Sequence, residues 1–380
     1  MFCNGGSLAL KNNFYIMFFR QKFILTNTQT HQSFILDNET FKKLVDDDAH
    51  LNQDFIDAEI VDDGEVFEWP YLPISRFFLE SASIYENELE SQSAKQFWEA
   101  YLNVSEETLL RAKALVLPEC EKIVELPVAR EIEGKLYDAL KNRRTIRQFH
   151  DTPIELQELA DILFTTFGKF HNEFGEKYMD VEDTVSFRKT SPSAGGLHPI
   201  DAYVFVRKVT NLETGIYLYN CKEHNLRLIK LGDFQEEITH NLMGQTFANG
   251  AAFNILTVAN LEIVSFKYDH SRAALLPFLD NGHLAQTALL VATNMNLQTW
   301  MTAAICEPYF RKLLNLKEYF VPITFIAIGH GYNEALGPEI REYIESIRSD
   351  RLIMGAMVCA SVKQKVARSS SNQEEDEIDK

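Results

Sequence analysis

The sequence predicts an α+β fold in a chain long enough for two domains. Strand-like apolar runs and amphipathic, helix-like stretches follow one another without the regular β-α-β period of a doubly wound sheet. The 380 residues are 46% hydrophobic and 24% charged, which is ordinary for a chain that buries a sizeable core. Both observations favour a globular protein in which strands and helices are mixed irregularly.

Charge and cysteine content exclude several classes of function. A net charge of −18 argues against general nucleic-acid binding and against docking on an anionic membrane. No apolar run approaches the roughly 20 residues that span a bilayer, and the N-terminus has no secretory pattern. The five cysteines form no CxxC pair and the ten histidines show no ligand spacing, so no metal site is predicted. The sequence therefore predicts a cytoplasmic protein.

Residues 1–92 are expected to form a small α/β module, similar to a winged helix. Apolar bursts predict three short strands, at 14–19, 23–25 and 33–36. Asn38 is expected to cap a short helix that ends at Leu44. A run of ten carboxylates without lysine or arginine follows between 46 and 68. It fits either a solvated acidic face or a docking surface for a basic peptide.

The remaining chain alternates irregularly between helices and strands. After a helical connector at 93–127, a helix is expected over 128–142, with one apolar face formed by Ile132, Leu136, Ala139 and Leu140. Residues 152–155 form a capping box that would open the next helix, and Gly168 would close it. Further strands are predicted at 202–206, 215–220, 226–231, 253–258 and 322–329, and further helices at 234–243 and 275–295.

A cluster of cations follows the helix that ends near residue 142. Arg143, Arg144 and Arg147 surround Thr145, in a chain whose net charge is −18. One or two such cations would be explained by the negative end of a helix dipole. Four cations within 141–147 instead favour a phosphate site, because a guanidinium fork bonds two phosphate oxygens at once.

A second motif lies at residues 191–199, which contain two glycines, two prolines, two serines and a histidine. Glycines let a backbone approach a flat ligand closely, and hydroxyl and N–H groups can bond a heterocycle. The same composition suits a tight turn before a strand, in which Ser193 bonds its own backbone. The motif alone leaves both interpretations open.

Together, these motifs resemble the nitroreductase fold in the form found in SagB/McbC-type FMN-dependent peptide dehydrogenases. The arginine cluster resembles the phosphate-binding motif, and residues 191–199 resemble the loop at the flavin ring. Residues 215–228 and 280–286 resemble two further segments of the same branch. The resemblance implies a mixed β-sheet flanked by helices over 128–345, and a homodimer with FMN at the subunit interface. Residues 346–380 would be a C-terminal extension with a disordered acidic tail.

The resemblance also implies which residues form the site. The implied FMN ligands are Arg143, Arg144, Thr145, Arg147, Pro192, Ser193, Ala194, Gly195, Gly196, Leu197, His198, Gln286, Gly329 and His330. Lys267 and Tyr268 resemble the catalytic pair of the peptide dehydrogenases, one of which would take a proton from the substrate. Neighbours in a strand point to opposite faces, so both reach one site only from a loop or turn. Desolvation would favour a neutral lysine and a nearby cation a tyrosinate, and the choice stays open.

The implied activity is the oxidation of a ribosomally made precursor peptide, of the azoline-to-azole type, with a cyclodehydratase as a further partner. One residue departs from the pattern, because His330 stands where many members carry a basic residue after the last strand. The arginines would then hold most of the phosphate. Two alternatives are an NAD(P)H-dependent nitro- or quinone reductase of the same fold, and a flavin-free scaffold that binds a precursor peptide.

Overall fold

The computed structural model describes part of the N-terminal module and most of the larger unit. It covers residues 14–44 without 20, 29 and 31, residues 53–60 without 59, residue 79, residues 133–171, residues 188–332 without 269, and residues 341, 342 and 345. The connector predicted at 93–127, the first turns of the helix predicted at 128–142 and the tail predicted to be disordered lie outside the described residues.

The N-terminal module begins with an antiparallel meander of three strands, as the alternating pattern predicts. They are β1 (Phe14–Phe19), β2 (Lys22–Asn27) and β3 (Gln32–Leu36), followed by the short helices α1 (Asn38–Leu44) and α2 (Gln53–Asp57). Leu25, Leu44 and Phe55 are buried together. The cap of α1 is not Asn38 but Asp37, whose carboxylate accepts a hydrogen bond from the Thr40 N–H at 2.7 Å.

The larger unit contains six strands and six helices within its described residues. In chain order they are α3 (Lys135–Asn142), α4 (Leu156–Phe167), β4 (Ile200–Val206), β5 (Gly215–Asn220), β6 (Asn225–Leu231), α5 (Gln235–Asn241), β7 (Phe253–Asn260), α6 (Leu261–Ser265), α7 (Leu276–Asn294), β8 (Gln298–Thr302), α8 (Glu307–Leu313) and β9 (Phe320–Gly329). The sequence patterns missed α6, β8 and α8. No helix among the described residues is long and apolar enough to cross a membrane.

The six strands form one sheet in the order β6-β5-β4-β7-β9-β8. Every neighbouring pair in it is antiparallel. The mixed sheet that the resemblance implied is therefore antiparallel in its named strands. In the described part of this sheet, parallel pairing enters where Thr145 forms an isolated bridge to Thr299 of β8. The irregular order of elements agrees with the α+β prediction.

Helices cover both faces of the sheet because its central strands are apolar on both sides. On one face, α4 and α7 pack against residues such as Val204, Ile255 and Ile326. On the other face, α5 and α8 pack against Phe205 and Phe325. Full burial of each such side chain stabilises the fold by about 1.5–3 kcal/mol. This three-layer core fixes the ends of β4, β7 and β9, where the candidate site lies.

Two helix predictions need correction. The helix expected to open within 152–155 begins at Leu156 instead, with a capping box formed by Glu155 and Glu158. Ile154 cannot join it, because its backbone N–H and C=O pair with Lys208 and Thr210. In α3, the predicted buried face is largely exposed: Ala139 is buried, whereas Leu136 and Leu140 are 67% and 50% exposed.

Candidate active site

Residues 191–199, here called the glycine loop, form a tight turn ahead of β4. Gly195 and Gly196 adopt left-handed backbone angles with φ of 62° and 67°, and His198 follows with φ of 48°. Only glycine enters this region without strain, so the two glycines are required by the turn itself. The last residue of the loop, Pro199, accepts a hydrogen bond from the N–H of Asn260 at the end of β7.

A buried carboxylate at the start of α7 holds the first half of the glycine loop. Asp280 accepts hydrogen bonds from the Ser193 hydroxyl and from the Ala194 N–H, the latter at 3.1 Å. The Ser193 hydroxyl oxygen in turn accepts from the His198 N–H at 2.9 Å. Two turns further along α7, Thr287 bonds the Ser191 hydroxyl at 2.6 Å. The Ser193 side chain therefore closes its own turn, and its hydroxyl proton is already engaged.

Lys267 and Tyr268 lie directly against the apex of the glycine loop. They stand in a turn after the short helix α6, where neighbouring side chains reach the same place. The Lys267 ammonium donates to the Gly195 carbonyl at 3.1 Å. A Cβ built on Gly195 would lie 2.5 Å from the Tyr268 hydroxyl and 2.9 Å from the Lys267 Nζ. The two polar groups thus converge on one glycine, 72 residues before them in the chain.

The arginine cluster forms an extended segment beside β8, where the Ile146 N–H donates to the Thr299 carbonyl at 2.9 Å. Side chains of an extended segment alternate between two faces. Arg144 and Ile146 line one face, whereas Arg143, Thr145 and Arg147 occupy alternate positions toward the other. The Arg147 guanidinium lies over the Phe247 ring at 5.6 Å. The four predicted phosphate ligands are therefore divided between two faces.

Arg144 lines a polar cleft of about 710 Å³. Its other polar lining residues are Asn142, His150, Thr152, Thr293, Asn296, Gln298, Thr299 and His330. His330 thus lies in the same cleft as Arg144, but Arg143 and Arg147 do not line it. Nearby, the His150 N–H donates to the His330 carbonyl at 2.8 Å, which ties the end of the segment to the end of β9.

The arginine segment and the apex of the glycine loop lie near opposite ends of the sheet strands and of α7. The segment pairs with Thr299 of β8, which is level with the start of β7 across β9, whereas the loop adjoins the end of β7 at Asn260. Seven residues of strand correspond to about 24 Å. Along α7, Asp280 contacts the loop and Thr293 lines the cleft, which corresponds to about 20 Å of helix. A single chain does not bring the two predicted halves of the flavin site together.

The remaining residues predicted to bind FMN lie at several separate places in the fold. Gln286 is exposed on the side of α7 that faces away from Asp280. Gly329 is buried at the end of β9, where a Cβ would lie 2.7 Å from the Ala252 backbone nitrogen, so close strand packing explains this glycine. In the loop, Pro192 is exposed, and the Leu197 N–H bonds the Ala194 carbonyl at 3.3 Å.

Three charged residues at the loop were missed by the sequence patterns, among them Asp280, which is 3% exposed. Arg188 lies close to Gly196, whose Cβ would be 3.2 Å from the guanidinium carbon. Lys189 is 6% exposed, and this burial lowers its pKa, against the opposing effects of Cys221, Asp201 and Asp280. Asp280 lies within the motif 280–286, but its role depends on a loop 86 residues away.

The family is decided by a match along the larger unit. A family model described as the Nitroreductase family matches residues 140–330, which is half of the chain. The chain belongs to the nitroreductase family. The match spans the arginine segment, the glycine loop and the end of β9. The predicted nitroreductase-like α+β fold is therefore confirmed.

Three curated relatives add to the nitroreductase assignment. A nitroreductase-type protein of Methanocaldococcus jannaschii is 33% identical over 210 residues, 54% of this chain and 95% of the relative. The trifolitoxin operon protein TfxC of Rhizobium leguminosarum bv. trifolii is 25% identical, over 51% of this chain and 55% of TfxC. The trifolitoxin-processing protein TfxB of the same organism is 25% identical, over 35% of this chain and 36% of TfxB. This chain thus spans about half of TfxC and a third of TfxB. The resemblance to the peptide-maturation branch is confirmed by these two relatives.

Proposed function

We propose that this nitroreductase-family chain is an FMN-dependent dehydrogenase that oxidises a ribosomally made peptide during its maturation. The observation that carries the proposal is the convergence of Lys267 and Tyr268 on Gly195, within the loop expected to face the flavin ring. The names of the two trifolitoxin relatives support a peptide as the substrate. Azoline-to-azole oxidation is the reaction type that we expect.

The geometry of the glycine loop fits a flat ring. Its apex is a pair of glycines without side chains, and a Cβ on Gly195 would fill the space in front of Tyr268. Because Lys267 and Tyr268 already occupy the space over Gly195, we expect a planar heterocycle to lie beside the apex, with both polar side chains at its edge. The Ser193 hydroxyl donates to Asp280, so we expect backbone groups of the loop to contact the ring.

We propose that the flavin phosphate binds on the face formed by Arg143, Thr145 and Arg147. This face offers two guanidinium groups on either side of a hydroxyl, at alternate positions about 7 Å apart along an extended segment. Each guanidinium can bond two phosphate oxygens. The opposite face offers one arginine, and the remaining cleft lining is neutral polar groups and histidines.

A homodimer would complete the site, because one chain separates the two halves by about 20 Å along α7. The exposed side of α7 carries Leu275 and Leu279, which are 43% and 63% exposed, with Gly282 and Gln286 along the same side. A stripe with two exposed leucines at one end suits an isologous contact between two copies. The arginine segment of one chain would then face the glycine loop of its partner.

A side chain of the protein would accept the proton that leaves the substrate. Aromatising an azoline removes two hydrogens, one as a proton and one as a hydride with its electron pair. Bound FMN supplies the hydride acceptor. Tyr268 would take the proton, because its hydroxyl lies at the loop apex whereas the Lys267 ammonium already donates to the Gly195 carbonyl. Lys267 would also hold the loop apex in place through its hydrogen bond to the Gly195 carbonyl.

The catalytic assignment is tested with Tyr268→Phe and Lys267→Met. Both variants should retain flavin, seen as an unchanged visible absorption spectrum, because neither residue belongs to the phosphate face. Tyr268→Phe should lose turnover of an azoline peptide, and Lys267→Met should lower kcat because it removes the hydrogen bond that holds the loop apex. Full activity of the double variant would refute the assignment.

The phosphate assignment is tested by comparing FMN with riboflavin, which lacks the phosphate. Arg143→Gln with Arg147→Gln should weaken FMN binding by 100-fold or more and leave riboflavin binding unchanged; this magnitude is an order-of-magnitude estimate for two charge-assisted contacts. Arg144→Gln is the matched control, since it removes a neighbouring cation from the other face. If Arg144→Gln alone weakened FMN binding, the phosphate would lie in the polar cleft.

A second candidate function is an NAD(P)H-dependent nitro- or quinone reductase. It is favoured by the relative from Methanocaldococcus jannaschii, which is matched over 95% of its length. Rapid reduction of the bound flavin by NADPH, followed by turnover of a quinone, would favour this reaction. Slow reduction by NADPH together with oxidation of an azoline peptide would favour the dehydrogenase. A purified protein that stays colourless after reconstitution with FMN would contradict both.

A further inference from the structure

Asp280 of α7 is joined to the glycine loop by hydrogen bonds. It is 3% exposed, and both of its carboxylate oxygens contact the loop. The Ser193 hydroxyl donates to one oxygen, and the Ala194 N–H lies 3.1 Å from one oxygen and 3.3 Å from the other. A carboxylate has only acceptors, so it can satisfy both donors at once.

Lys267 and Tyr268 contact the same turn at Gly195. Gly195 directly follows the residue bonded to Asp280, and its carbonyl accepts from the Lys267 ammonium at 3.1 Å. The Tyr268 hydroxyl lies over the same residue. Any shift of the turn away from Asp280 therefore changes the distance between Gly195 and both polar groups.

Asp280 also faces a buried cation. Lys189 is 6% exposed and precedes the loop by two residues. Asp280 raises the pKa of Lys189, as do Cys221 and Asp201, against the larger lowering by burial. Removing the Asp280 charge would leave Lys189 less compensated, and a buried uncompensated charge is strongly destabilising. Asp280 therefore has two separable effects, one on stability and one on loop position.

We propose that Asp280 is a positioning residue that sets the place of Gly195 relative to Lys267 and Tyr268, and so fixes the geometry of the proton-transfer pair. The inference rests on the proposed function for its activity readout. The position of the loop is measurable without it.

The test uses Asp280→Asn in the full chain. An amide has the same shape but only one acceptor oxygen, so the NH2 group that replaces the other oxygen would face the donor of either Ser193 or Ala194 at hydrogen-bond distance. We expect kcat to fall by about 100-fold with a smaller change in KM, as for a displacement of about 1 Å near reacting groups. We also expect an altered visible spectrum of the bound flavin. Asp161→Asn makes the same change at an exposed carboxylate on α4; it is the matched control and should leave kcat unchanged.

The double variant Asp280→Asn with Lys189→Met separates the two effects. It replaces both charges with neutral groups, so we expect the thermal stability to return toward the wild-type value. We expect kcat to stay low, because the loop still lacks its second acceptor. If kcat recovered with stability, Asp280 would act only by balancing Lys189, and the proposal would be wrong.

A crystal structure of Asp280→Asn gives a readout that is independent of flavin and substrate. The expected result is a displaced turn in which the Lys267 Nζ no longer lies within hydrogen-bond distance of the Gly195 carbonyl. An unchanged turn would overturn the proposal even if activity were lost. A wild-type protein that binds no flavin would instead contradict the proposed function, and this crystal structure would still decide the role of Asp280.

Discussion

Gly195→Ala should show whether turnover depends on the position of Lys267 and Tyr268, because it displaces both side chains without removing either. Gly195 has a φ of 62°, and the new Cβ would lie 2.5 Å from the Tyr268 hydroxyl and 2.9 Å from the Lys267 Nζ. Ordinary contact begins near 3.4 Å. Tyr268 would therefore have to retreat by about 1 Å, and Lys267 by about half as much.

Two costs follow from this substitution. A left-handed alanine costs about 1–2 kcal/mol of folding free energy relative to glycine. The displacement of the pair should lower kcat by about 100-fold, the size expected when reacting groups are misplaced by about 1 Å. Because Lys267 and Tyr268 are both still present, the loss would come from geometry alone.

The matched control is Gly244→Ala. Gly244 has a similar φ of 69°, but a Cβ there meets no atom within 4 Å among the described residues. Both variants should lose similar stability in urea unfolding, and only Gly195→Ala should lose turnover in an azoline-oxidation assay under single-turnover conditions. Equal activity of the two variants would refute the inference that the loop apex and the catalytic pair share one site.

Three further predictions concern stability and assembly. Burial, aided by Asp201, raises the pKa of Tyr203 to about 12, so its stabilising effect is fully present below pH 10 and is lost as pH rises through 12. The wild type should lose up to about 3 kcal/mol more unfolding free energy than Tyr203→Phe over that range in urea titrations, and parallel curves would contradict this. Phe325→Ala should cost about 3–5 kcal/mol, measured by urea unfolding, because Phe325 is fully buried, and a cost below about 1 kcal/mol would contradict the described packing. Leu279→Glu should convert the proposed dimer to a folded monomer in light scattering, and a persistent dimer would place the interface elsewhere.

Local patterns predicted the apolar strands and helices well because their signal is contained in neighbouring residues. β7 and β9 are largely apolar runs, and both bounds of α7 lie within one residue of those predicted. β8 was missed because Gln298–Thr302 is short, alternates weakly and lies at a sheet edge. The capping box at 152–155 gave a false start because Ile154 pairs its backbone with a distant turn at Val209.

The candidate site was predicted only in part, because its contacts join residues far apart in the chain. The glycine loop and the Lys267-Tyr268 pair were recognised by resemblance, but their contact through Gly195 required the fold. Nothing near Lys189 marks it as buried, since a lysine before a polar loop is usually solvated. The division of the arginine segment between two faces also depends on its pairing with β8.

Because the arginine segment and the glycine loop of one chain lie far apart, two inactive variants of the protein could restore activity when they are mixed. In the proposed homodimer, each site takes its phosphate ligands from one chain and its Lys267-Tyr268 pair from the other. A chain lacking Arg143 and Arg147 and a chain lacking Tyr268 would each be inactive alone. Their heterodimer would combine one site with both defects and one site with neither. Random reassociation would then restore about one quarter of the wild-type activity, by complementation between subunits.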